Sequence, residues 1–150
     1  MPWKTTLQRA KKDKQEGKAP STQAGEFVRE EMEHIRRGKH GARNTKQAIA
    51  IGLSKGRRAG VKLGAPKPGT TSSRTRKQAE RDLAKGEHGS QAASPRRSAA
   101  RERALKREPR SAASHSALSK QARSAARKRS SASRSQAAKK AASTRQRRAA

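Results

Sequence analysis

Nine of the fifteen Val, Leu, Ile, Met, Phe and Trp side chains in this sequence fall between Phe27 and Leu63. That crowding sets the limit on what can fold. The rest of the chain is mostly Lys, Arg, Ala and Ser, with 40 basic against 11 acidic residues and a formal charge of +29. Low hydrophobicity with high net charge is the composition of chains that bury too little to order themselves. The expected fold class is therefore mostly α with extensive disorder: a small two-helix, helix-turn-helix-like hairpin module carrying basic low-complexity arms.

Within the module (21–63), Val28, Met32 and Ile35 recur at helical spacing, and Phe27 widens the stripe of a first helix over 21–37. Glu26, Glu30, Glu31 and Glu33 gather toward its start and Arg36-Arg37 close it, an order that complements the helix dipole. These glutamates are expected to be solvated. Gly38-Lys39-His40-Gly41 makes the turn. Asn44-x-x-Gln47 then fits a capping box, and Gly60 fits a left-handed C-terminal cap followed by Val61. Between them Ala48, Ile49, Gly52, Leu53, Gly56 and Ala59 share an apolar face. Gly52 and Gly56 notch it for close approach of the first helix. Lys46, Gln47, Ala50, Ser54, Arg57 and Arg58 form the opposite face.

Outside the module the expectations are looser. Residues 1–20 are a basic arm, either a fraying helix or one anchored by Trp3. Residues 64–75 read as a linker. Thr75-x-x-Gln78 caps a short polar helix within 76–86 that has only Ala79 and Leu83 to bury. Residues 87–150 read as a disordered tail, able to become helical over 96–107 and 117–129 once phosphates neutralise it. Arg-Ser-Ala-Ala begins at 97, 110 and 123; thirteen residues do not return to one helix face, so the repeat spreads charge and builds no core. Ser94-Pro95-Arg96-Arg97 resembles the Ser-Pro-basic turns of histone tails.

No constellation for catalysis emerges, and the chain reads as non-enzymatic. There is no cysteine, and His34, His40, His88 and His115 form no zinc spacing, so no metal or cofactor is expected. No apolar run is long enough to span a bilayer and no small-molecule site is indicated, which points to the cytoplasm and the nucleoid. A charge of +29 calls for a polyanion. With one Trp, one Phe and no Tyr, stacking on single strands is disfavoured. The expected partner is DNA, bound with little sequence preference in the manner of histone-like, nucleoid-associated proteins. An RNA- or ribosome-associated role and a protein-interaction role for the apolar face of 45–58 are the alternatives, and the oligomeric state stays open. The expected contacts in the module are Lys39, Arg43, Lys46, Gln47, Arg57, Arg58 and Lys62. In the tail they are Arg96, Arg97, Arg101, Arg103, Arg123, Arg127, Lys128, Arg129, Lys139 and Lys140.

Phe27 through Gly41, followed by Lys46-Gln-Ala-Ile-Ala-Ile-Gly-Leu-Ser-Lys-Gly-Arg-Arg-Ala-Gly60, is similar to a small bacterial domain-of-unknown-function family numbered 6496. The resemblance covers residues 27–63 and implies a bacterial source but no function. Gly52 and Gly56 depart from it, standing where Ala is usual. The remaining chain is similar to histone H1-like bacterial tails in composition only.

Overall fold

The structure is a computed structural model that describes residues 2–89 and 94–149. Among them are seven α-helices: α1 (Lys4–Gln15), α2 (Pro20–Arg36), α3 (Thr45–Arg58), α4 (Ser73–Glu87), α5 (Pro95–Lys106), α6 (His115–Arg127) and α7 (Ser131–Ala149). A single 3-10 turn covers Ser111–Ala113. This all-helical order corrects the expectation of two helices with extensive disorder. Residues 2–89 and 94–114 belong to one compact unit and residues 115–149 to a second.

The α2–α3 hairpin forms as its sequence predicts. A Cβ on Gly52 would lie 2.6 Å from the Val28 Cα, and one on Gly56 3.2 Å from the Phe27 ring. The two glycines thus set the distance at which the helices meet. Asn44 Oδ1 accepts from the Gln47 backbone N–H at 2.9 Å, while Gln47 Oε1 accepts from the Arg43 N–H at 2.7 Å. At the far end Gly60 (φ +91°) and Val61 donate to the carbonyls of Arg57 and Gly56, the paired bonds of a Schellman cap. Gly17 and Gly38 close α1 and α2 in the same way.

The basic arm is α1, packed on α2 through buried Thr6, Ala10 and Asp13. Ala10, Ala24, Phe27 and Val61 make one core cluster, with Leu53 and Leu63 against it. Trp3 is anchored: its backbone N–H donates to Glu30 Oε2 at 3.0 Å, and its ring stands edge-on to His34. The short polar helix begins earlier than expected, because Ser72 rather than Thr75 is its N-cap. It packs on α3 with Ala79 and Asp82 buried, and any side chain at Gly86 would run into the Arg57 carbonyl.

The expected disordered tail is corrected most sharply. Ala, Arg, Lys and Gln are good helix formers, and α5, α6 and α7 are helical. Ser94-Pro95 is a helix start with Pro95 in the first turn, not an isolated turn. Residues 105–113 return to the α2–α3 corner. Gly41 and Ala42 donate to the carbonyls of Leu105 and Pro109, Thr45 Oγ1 to Ala112, and Arg36 Nε to Ala113. Ala112 and Ala113 are buried, so the middle Arg-Ser-Ala-Ala copy does build core. The outer copies lie exposed in α5 and α6. The parts of the expected tail at 90–93 and 150 lie outside the described residues.

Candidate nucleic-acid interface

The polar face of α3 lines a groove of about 710 Å³ together with α4 and α5. Gln47, Ala50, Ile51, Ser54 and Arg58 come from α3 and Gln78, Asp82 and Lys85 from α4; Arg97, Ser98, Arg101 and Leu105 come from α5. Arg97 and Arg101 reach it together because i and i+4 share a helix face. The lining mixes the short side chains Ala50, Ser54 and Ser98 with the cations Arg58, Lys85, Arg97 and Arg101 and one carboxylate, Asp82. Arg58 is partly committed: its Nε donates to the Ser54 carbonyl at 3.2 Å and lies 3.6 Å from Asp82 Oδ1.

Several expected contacts fall elsewhere. Arg57 is 6 % exposed and donates to the carbonyls of Leu63 and Gly64, pinning the chain that leaves α3. Burial lowers its guanidinium pKa from the ordinary value, with Asp82 opposing. A buried guanidinium whose donors face carbonyls is a structural brace, so Arg57 is removed from the interface. Lys39 sits over the Trp3 ring, 5.1 Å from its centroid. Lys46, Arg43 and Lys62 are exposed outside the groove lining, and Arg96 and Arg103 occupy a different face of α5.

In the second unit, Lys120, Arg123 and Arg127 share one face of α6 with Ser116, Ser119 and Ser124, and Lys128 extends it past the helix end. Arg129, Lys139 and Lys140 are exposed.

A second constellation was not foreseen. Glu30 and Glu31, expected on a solvated helix start, lie in the second half of α2 and are 2 % and 0 % exposed. The Gly38 cap turns the chain so that His40 comes back over this helix, its Nε2 3.3 Å from Glu31 Oε1. Lys55 from α3 donates to the other oxygen, Glu31 Oε2, at 2.6 Å. His34 lies between the two carboxylates, its Nε2 3.8 Å from Glu30 Oε1 and its Nδ1 4.0 Å from Glu31 Oε2. Burial is the main force lowering the His34 pKa; Lys55 and Lys39 add to it, while Glu30 and Glu31 oppose it. Glu31, His34 and His40 each offer one potential metal-ligating atom within 4.8 Å of the others. The sequence signal was only that His34 lies three and four residues from two glutamates on one helix; His40 joins them through the turn.

Among the described residues no helix is long and apolar enough to cross a membrane. No protein-family model matches this chain, and no curated protein and no solved structure matches it. The resemblance of residues 27–63 to family 6496 therefore carries no part of the functional assignment.

Proposed function

We propose that this chain binds duplex DNA with little sequence preference, by neutralising phosphates along the α3–α4–α5 groove and the basic face of α6. What supports it above all is the gathering of Arg58, Lys85, Arg97 and Arg101 around one groove in a chain of charge +29. The short side chains in the lining leave room for a sugar-phosphate backbone, while the cations beside them displace its counterions. The groove lining has no aromatic side chain on which a splayed base would stack. On this reading the chain resides on the nucleoid.

Salt titration of binding to a duplex of mixed sequence is the test. Neutralising about ten phosphates gives a slope of log K against log salt near −9. Arg97→Ala with Arg101→Ala is expected to flatten that slope by about 2. Binding almost independent of salt would end the proposal. Competition with structured RNA at equal salt separates it from an RNA- or ribosome-associated role, which is the outcome if RNA wins. A protein-interaction role for the apolar face of α3 has less room, since α2 already covers Gly52 and Gly56.

A further inference from the structure

The geometry points to a binding site for a zinc-like divalent transition-metal ion formed by Glu31, His34 and His40, where the last turn of α2 meets the α2–α3 turn. Two neutral imidazoles and a carboxylate are the donor set that borderline dications of this class favour. The site joins two elements that no other side-chain cluster of this kind connects among the described residues.

Unsatisfied atoms carry the inference. Glu31 Oε1 is buried and has no hydrogen-bond partner, and the same holds for His34 Nε2 and Glu30 Oε1. Leaving one such atom unpaired costs about 1–3 kcal/mol, more when it is charged. A dication bound among them would give these atoms the partner they lack. His40 Nδ1 lies 3.0 Å from the Gly41 carbonyl. The carbonyl can only accept, so Nδ1 donates there, and Nε2 is the ring nitrogen that faces Glu31 Oε1. A metal-bound histidine is held in the same manner, with its second nitrogen donating to a backbone carbonyl.

The distances suit an ion. Ligands about 2.0–2.2 Å from a tetrahedral centre stand about 3.4 Å apart, and His40 Nε2 and Glu31 Oε1 are 3.3 Å apart. Glu30 Oε1, 3.8 Å from His34 Nε2, is a fourth donor atom close by. Lys55 is the nearest opposing charge, but it occupies Glu31 Oε2 and leaves Oε1 to the ion. Lys39 is a second cation near His34, so the two carboxylates balance two lysines before any ion binds. Trp3, edge-on to His34, walls one side of the site with its ring.

The experiment is calorimetric titration of the full chain with zinc chloride, in chelator-free buffer and without nucleic acid. Saturable one-to-one binding is expected, about 100-fold weaker in His40→Ala, and unchanged in His88→Ala with His115→Ala. Histidine NMR of the unaltered chain gives a second readout that no folding defect can confuse. Zinc should move the His34 and His40 resonances and leave those of His88 and His115. Absence of saturable binding, full retention of affinity in His40→Ala, or shifts at His88 and His115 instead would each overturn the assignment. Because the groove and this site share no residue, either proposal can fail without the other.

Discussion

Gly52 and Gly25 lie in neighbouring helices, yet they answer oppositely to the same added methyl group. A Cβ at Gly52 meets the Val28 backbone, whereas at Gly25 nothing lies within 4 Å. Gly52→Ala should therefore destabilise the fold by about 1–3 kcal/mol through overpacking. Gly25→Ala should stabilise it by about 0.5–1 kcal/mol, because alanine loses less backbone entropy in a helix. Chemical denaturation of the two variants checks both signs. Arg57 and Arg58 divide in a similar way. Arg57→Ala strips the donors from two carbonyls in a buried position and should lower stability, leaving the salt slope of DNA binding unchanged. Equal loss of slope at Arg57 and at Arg97 would contradict its placement as a brace. The notch at Gly52 was legible in sequence because helical spacing is local. The burial of Arg57 was not, because it depends on where residues 63 and 64 run.

Among the elements, the three Arg-Ser-Ala-Ala copies isolate what context adds to identical local sequence. The outer copies are exposed helix, and the middle one is a buried 3-10 turn held by Thr45 and Arg36. Ala113→Gln should cost about 2 kcal/mol or more, since a longer polar side chain enters a filled site. Ala100→Gln and Ala126→Gln should stay within about 0.5 kcal/mol of the parent. Thermal melts of the three variants give the comparison, and equal effects would show that the turn is not part of the core. Helix ends behave differently, because caps are written locally. Asn44→Ala should cost about 1 kcal/mol by removing the acceptor for the Gln47 N–H. The closing glycines at 38 and 60 were readable in the turn and cap they form, since positive φ is open to glycine with no Cβ penalty.

For the whole molecule, electrostatics dominates: a charge of +29 on 150 residues repels itself in the folded state. Raising salt in the absence of nucleic acid should therefore raise the melting temperature, while the same salt weakens DNA binding. Parallel melting and binding titrations read the two opposite trends, and a melting temperature that falls with salt would mean that native ion pairs outweigh the repulsion. Few pairs are placed to do so. Lys12–Glu16, Arg37–Glu33, Arg76–Glu80 and Lys106–Glu102 lie at exposed surfaces, whereas Lys55–Glu31 and Arg58–Asp82 tie α3 to its neighbours through buried carboxylates.

By itself the sequence determined the α2–α3 hairpin, its caps, its glycine notch and the excess of cations, because each follows from spacing along one helix or from composition. It did not determine that the tail returns to the corner of the hairpin, that Trp3 anchors α1, or that Glu30 and Glu31 are buried. Those depend on which surfaces face each other across as many as 77 residues of chain. Helix propensity and dipole complementarity say nothing about that. Only the tertiary structure brought His40 back to Glu31 and His34, and gathered four cations from three helices around one groove.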